Sequence, residues 1–289
     1  MCGLKLCNFR IGDRRSSGVL TPQGIVDCGK RLGASAGDLL SLLRTDRIGL
    51  LRELAQPAQA DYSFDEVRFL NPAGRFTRYL CIGVNYPDRN EEYKDGSERP
   101  KYPSIFMRSH TSFADPGEPV LRPRESEQLD YEGEIAIMIG QGGRRIPRER
   151  ALEHVFGYCC ANEGSVRDWL RHSKFNVTQG KNFDRSGSLG PWLVTADEVG
   201  TAPLRVTTRV NGEVRQDDTS DRMIFAIPHL ISYLSTFCSL EPGDVILTGT
   251  PAGAGARLDP PRYLEPGDIV EVEVSRVGVL RNEVADDHG

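Results

Sequence analysis

The stretch Asp130-Tyr131-Glu132-Gly133-Glu134-Ile135-Ala136-Ile137-Met138-Ile139-Gly140 constrains this chain more than any other. Its second half is β-branched and apolar and ends at a glycine, the pattern of a buried strand. Residues two apart in a strand project from one face, so Glu132 and Glu134 leave the start of the strand together. Carboxylates side by side repel each other unless a cation stands between them. A hard divalent ion with oxygen ligands, Mg²⁺, Mn²⁺ or Ca²⁺, meets that need. So does a solvated strand end, the commoner fate of such a pair taken alone.

At 289 residues the chain is long enough for one large domain, or for a main domain with a smaller companion. A net charge of −5 lacks the basic excess that nucleic acid or an anionic membrane would attract, so a small-molecule or protein partner is favoured. The seven cysteines (2, 7, 28, 81, 159, 160 and 238) are scattered without a C-x-x-C pair, which suits reduced, buried thiols in a cytoplasmic protein. The first ten residues lack the pattern of a signal peptide, and no apolar run is long enough to span a membrane.

Residues 1–70 read as a small α/β unit: a strand at Leu4–Arg10, two short strands near Gly18 and Gly24, and short helices at Leu39–Leu43 and Ile48–Leu54. It carries no visible chemistry and is expected to serve as scaffold or dimer contact, joined through a linker at Asn71-Pro72-Ala73-Gly74. Tyr79–Tyr86 is a buried strand emptying into the polar segment Pro87–Gly96, a common setting for a lid. Pro147–Val155 reads as a helix that leaves His154 at the surface or boundary. Asn211-Gly212 marks a hairpin, and Asp221–Phe237 a core-facing helix despite Pro228. Two Leu-Glu-Pro-Gly-Asp turns, at 240–244 and 264–268, launch the closing strands. Strands dominate without βα alternation, so residues 75–289 are expected to form an α+β, mainly β domain of mixed, rolled strands.

Six motifs stand in sequence: Gly83-Val84-Asn85-Tyr86, Asp130-Tyr131-Glu132-Gly133-Glu134, Asn162-Glu163-Gly164-Ser165-Val166-Arg167-Asp168, Gln179-Gly180-Lys181-Asn182-Phe183-Asp184, Leu189-Gly190-Pro191-Trp192 and Thr248-Gly249-Thr250-Pro251-Ala252-Gly253. Their order over residues 75–285 resembles the fumarylacetoacetate hydrolase family, and residues 1–70 resemble the N-terminal extension of its bacterial members. The resemblance implies a mixed β-roll, usually a homodimer. It implies that Glu132, Glu134 and Glu163 hold Mg²⁺, Mn²⁺ or Ca²⁺, leaving positions open for the keto and carboxylate oxygens of a 2-oxo acid. It also implies that Lys181 offsets developing enolate charge, and that Thr250 meets the substrate carboxylate with its hydroxyl and backbone N–H. Arg108 matches a pocket-lining position suited to a second substrate carboxylate.

Two residues depart from the family pattern. Glu163 stands where aspartate is usual, one methylene longer. Arg89 stands where hydrolytic members carry a lid histidine that works with a glutamate, here Glu92, to activate water. Arginine stays charged and only donates, so Arg89 is no general base. Glu92 alone, a metal-bound hydroxide or His110 remain for that role. Alternatively, Arg89 clamps an extra substrate carboxylate, which favours a dicarboxylate. The leading expectation is hydrolytic C–C cleavage of an acylpyruvate or ring-cleavage 2-oxo acid, as in aromatic catabolism. The alternatives are a tautomerase, isomerase or 2-oxo acid decarboxylase using the same enolate chemistry, and an inactive metal-binding homologue.

Overall fold

The computed structural model describes residues 3–44, 48–55, 59–74, 77–92, 98–173 and 176–289. Cys2 and part of the expected lid, residues 93–96, lie outside them. Among the described residues the main element is an eleven-stranded sheet. The Gly133–Ile139 strand lies inside it, antiparallel to Val155–Asn162 on one side and to Val245–Leu247 on the other. Val245–Leu247 in turn runs parallel to Tyr79–Gly83. A five-stranded sheet, centred on Arg205–Val210, Ile269–Val274 and Gly278–Asp286, packs against it. The architecture is the α+β, mainly β roll expected from the sequence.

All seven residues of Gly133–Ile139 are buried, and their alternation divides the core. Ile135, Ile137 and Ile139 pack with Val206, Val272 and Leu280 of the second sheet and with Leu230, Ile231 and Leu234 of the Ile227–Phe237 helix. Ala136 and Met138 pack on the opposite face with Tyr79, Cys81, Cys159 and Leu193. Full burial of side chains such as Ile135, Ile137 and Met138 contributes about 1.5–3 kcal/mol each, which holds this strand, and the glutamates at its start, in one register.

The first seventy residues have a small core of their own, including Leu6, Val19, Leu39, Leu42 and Leu51. They also extend the main sheet, because Lys5–Ile11 pairs with Gly187–Thr195. The stretch read as a linker is built in: Asn71, Pro72 and Ala73 are buried, and Asn8 Nδ2 donates to the carbonyls of Asn71 and Pro72 at 3.2 and 3.1 Å.

Three local expectations need correction. The helix read from Asp221 begins only at Ile227, because Pro228 lacks an N–H and is tolerated only in a first turn. Arg148–His154 is a 3₁₀ segment. His154 within it is buried, its Nδ1 lying 2.7 Å from the Gln141 carbonyl.

The glycine between the two glutamates has a steric reason. A Cβ on Gly133 would run into Thr208 Oγ1 of the second sheet, and the Gly133 N–H donates to Gln216 Oε1 at 2.9 Å. The two sheets can approach this closely only over a residue without a side chain. Gly133→Ala is expected to destabilise the protein by about 1–3 kcal/mol through overpacking, read as a lowered denaturant midpoint with unchanged slope.

Candidate metal centre

Glu132 precedes the central strand and Glu134 lies within it, while Glu163 follows the Val155–Asn162 strand directly. Pairing of Gly133 with Asn162 brings the three together, reinforced by the Glu163 N–H donating to the Glu132 carbonyl at 2.7 Å. Asn162 Oδ1 accepts the Glu132 N–H at 3.0 Å. One oxygen from each of the three carboxylates lies within 4.8 Å of the others, and all three residues are buried. The longer side chain of Glu163 therefore still reaches the cluster.

Cations surround the cluster unevenly. Lys181 Nζ lies 2.5 Å from Glu132 Oε2 and 3.0 Å from Glu163 Oε2. Arg167 Nη2 lies 2.7 Å from Glu132 Oε1, and Arg89 Nη2 lies 3.2 Å from the same oxygen. Burial pushes the Glu132 carboxyl up, but Lys181, Arg167 and Arg89 together override it and hold Glu132 far below the ordinary glutamate range. Glu134 has the opposite balance. Burial raises it first and the Glu163 and Glu132 charges raise it further, against Lys181 and a 2.7 Å hydrogen bond from the Gly249 N–H. That N–H comes from a glycine at φ +99°, a left-handed conformation that other residues rarely adopt. Among the described residues Glu163 Oε1 is buried without a hydrogen-bond partner. The carboxyl oxygens least matched by cations are therefore those of Glu134 and Glu163 Oε1, and an all-oxygen donor set suits Mg²⁺ or Mn²⁺.

A cavity of about 670 Å³ opens onto the cluster. Arg89, Arg108, Arg167, Lys181 and Thr250 line it together with the three glutamates, while Phe106, Ile105 and Leu170 supply apolar wall. Arg108 is spent inside the chain, donating to Gly164 O, Ser112 Oγ, Ser112 O and Ser186 Oγ at 2.8–3.2 Å. The Thr250 hydroxyl donates to Gly133 O at 2.9 Å and accepts from Gln216 Nε2 at 2.8 Å. Glu92 is not among the residues that line the cavity; its Oε1 accepts the Gly253 N–H at 2.6 Å and its Oε2 accepts from Arg89 Nη1 at 2.9 Å. His110 is exposed and lines a different cleft, beside the N-terminal lobe. It is therefore no candidate base.

Asp130, Arg167 and Gln216 were given no role in the sequence reading. Asp130 receives the Arg167 Nε at 2.8 Å and the N–H groups of Gly255 and Ala256 at 2.9 Å, so Arg167 is anchored before it meets Glu132. Gln216 reaches from the second sheet to both Gly133 and Thr250. Its signal was a polar residue at an inward position of a hairpin strand.

The family profile for the fumarylacetoacetate (FAA) hydrolase C-terminal region matches residues 78–285. The chain belongs to the fumarylacetoacetate hydrolase family. Among relatives, oxaloacetate tautomerase YisK of Bacillus subtilis (strain 168) is 40% identical over 227 residues, which is 77% of this chain and 75% of that protein. A probable 2-hydroxyhepta-2,4-diene-1,7-dioate isomerase from Mycobacterium abscessus superposes with a TM-score of 0.80 at 31% identity, covering 100% of both chains. Maleylpyruvate hydrolase from Sphingobium sp. SYK-6, in complex with manganese(II) and pyruvate, superposes with a TM-score of 0.80 at 27% identity, covering 98% of this chain and 100% of its own. This fumarylacetoacetate hydrolase family member thus has the fold of tautomerases, isomerases and hydrolases alike. The expectation of hydrolysis is not singled out, and the isomerase or tautomerase alternative is supported at least as well. No helix among the described residues is long and apolar enough to cross a membrane.

The charge balance makes two measurable statements. Glu134→Gln removes a carboxyl that is costly to keep buried, so the metal-free protein is expected to be more stable at pH 7, read as a raised denaturant midpoint. Because the folded-state carboxyl is raised, the gain disappears below the ordinary glutamate range, where the group is protonated both folded and unfolded. Mn²⁺ at a hundred times its dissociation constant should stabilise the wild type by about 2.7 kcal/mol and the variant hardly at all, read by thermal denaturation with and without the ion. Arg167→Met leaves Asp130 and Glu132 buried with one less cation and is expected to cost about 3–5 kcal/mol, measured by chemical denaturation.

Proposed function

We propose that this protein is a divalent-metal-dependent tautomerase of a 2-oxo acid of the oxaloacetate class. The observation that carries the reading is the set of groups around the cavity. It is rich in fixed positive charge suited to an enolate, and the position that activates water in hydrolytic relatives holds Arg89, paired with Glu92 and Glu132. Enol and keto forms interconvert by moving one proton between oxygen and carbon, which requires no activated water. The 40% identity to an oxaloacetate tautomerase supports the same choice.

Glu132, Glu134 and Glu163 would hold Mg²⁺ or Mn²⁺, which when bound supplies Lewis-acid polarisation of the keto oxygen. Lys181 presents its ammonium beside the cluster. Burial lowers its affinity for the proton, but Glu132 and Glu163 outweigh that and keep it charged. It is therefore placed to stabilise negative charge developing on the substrate oxygen. Thr250 and the Gly249 turn shape the floor of the cavity through Gly133 and Glu134. Phe106, Ile105 and Leu170 keep part of the wall dry, which strengthens each of these charge interactions.

Mixing enol oxaloacetate with Mn²⁺-loaded protein and following the loss of enol absorbance tests the reading. Acceleration over the ion alone is expected. Lys181→Met should lower kcat/KM by about 10²–10³-fold, the effect of removing one preorganised charge-stabilising donor. No acceleration, or faster release of pyruvate from an acylpyruvate than ketonisation of oxaloacetate, would reject it in favour of hydrolysis.

A further inference from the structure

We propose that the seam between the N-terminal unit and the catalytic domain holds a second anion site, built from Arg10, Arg15, Arg68 and Arg185, that takes a phosphate-class oxyanion carrying two or more charges. It lies apart from the glutamate cluster and does not rest on the reaction proposed above.

The site begins with strand register. Arg14–Thr21 and Arg68–Leu70 both pair antiparallel with Lys5–Ile11, and the registers set Arg15 and Arg68 directly opposite Arg10. Residues opposite one another in adjacent strands project from the same face, so three guanidinium groups are carried side by side. Like charges in that arrangement repel, and stability alone would favour acidic residues between them. Among the described residues neither Arg10 nor Arg15 has an ion-pair partner, while Arg68 and Arg185 share one, Glu118, at 3.5 and 3.7 Å.

The three arginines line one cavity of about 280 Å³, with Arg185 joining them from the catalytic domain and Leu70 and Phe113 supplying apolar wall. Its acidic lining residues are Glu118 and Asp115, and Asp115 Oδ1 already accepts the Asn71 N–H at 2.8 Å. Four cations therefore face two carboxylates in a chain whose net charge is −5. Arg185 is held in place by its surroundings: its N–H donates to Thr111 O at 2.8 Å, its carbonyl accepts the Leu121 N–H at 2.9 Å, and its Nη2 donates to Pro119 O at 3.1 Å. A carboxylate offers its oxygens in one plane, whereas a phosphate group offers three that diverge, which suits guanidinium forks arriving from three strands and from Arg185. None of the residues lining this cavity lines the catalytic one. A wider cleft of about 770 Å³ shares Arg15, Leu70, Phe113, Asp115 and Arg185 with it, which leaves room for the rest of a phosphorylated molecule.

Calorimetric titration of the full-length protein with inorganic pyrophosphate, without added divalent ion and at low ionic strength, tests the assignment. Saturable binding below about 1 mM is expected, weakening as salt is added. Arg10→Gln should weaken it by about tenfold or more, the loss of one charge-assisted contact. Arg124→Gln, which removes an exposed arginine elsewhere, should leave it within about twofold. Because Arg10→Gln relieves repulsion, it is expected to raise the thermal midpoint of the ligand-free protein at low salt, an increase that fades as salt screens the row, so lost binding is separable from lost fold. ADP binding more tightly than pyrophosphate assigns the site to a phosphorylated molecule that reaches into the wider cleft, and pyrophosphate binding at least as tightly assigns it to the free anion. No saturation by either, citrate binding as tightly as pyrophosphate, binding that Arg10→Gln leaves unchanged, or equal weakening by Arg124→Gln would overturn the proposal.

Discussion

Three carboxylates buried within 4.8 Å of one another are the constraint on which the rest of this structure depends. Removing carboxylates from water costs several kcal/mol each unless opposite charge and hydrogen bonds replace the lost hydration. The chain supplies that replacement from distant segments: Arg89 from the short helix after the Tyr79–Gly83 strand, Arg167 from the turn after Glu163, Lys181 from the Thr178–Lys181 helix, and the Gly249 N–H from a left-handed turn. Each must arrive in register for the glutamates to be tolerated. The central strand, buried on both faces and paired on both edges, is what fixes that register.

The compensation is incomplete in an orderly way. Among the described residues Glu132 is approached by three cations, whereas Glu134 and the outer oxygen of Glu163 are left with a single backbone donor between them. A fold selected only for stability would replace Glu134 with an apolar residue of similar volume, since a buried ionic group adds little to stability over a well-packed isostere. Local electrostatic cost of this kind at a cavity wall is the signature of a site rather than of a core.

The strand and its two glutamates were legible because alternation, a terminal glycine and E-x-E spacing are properties of neighbouring residues. Lys181 and Glu163 were legible only through the resemblance, since nothing near either residue in the chain announces the other. Asp130 and Gln216 remained hidden for the same physical reason. Their roles lie in contacts across more than 80 residues of sequence, Gln216 to Gly133 and Asp130 to Gly255. The N-terminal unit was legible as strands and helices, but its annexation to the main sheet depends on the pairing of Lys5 with Val194, which no local pattern encodes. Pro228 shows the converse. The apolar period from Met223 onward is real, yet backbone chemistry shortens the helix that it would otherwise form.

Arg89 and Arg108 illustrate why residue type alone does not assign a role. Both are buried arginines on the same cavity, and the sequence offered each a substrate carboxylate. Arg108 is surrounded by neutral carbonyl and hydroxyl acceptors that bind it as part of the wall; a ligand could recruit it only by breaking several hydrogen bonds within the chain. Arg89 instead makes ion pairs to the carboxylates of Glu92 and Glu132. Ion pairs to Glu92 and Glu132 couple an arginine to the charge of the cluster, whereas hydrogen bonds to backbone carbonyls and serine hydroxyls couple it to the frame of the fold. The difference between an arginine of the cavity wall and one tied to the cluster therefore lies in its partners and not in its residue type or its burial.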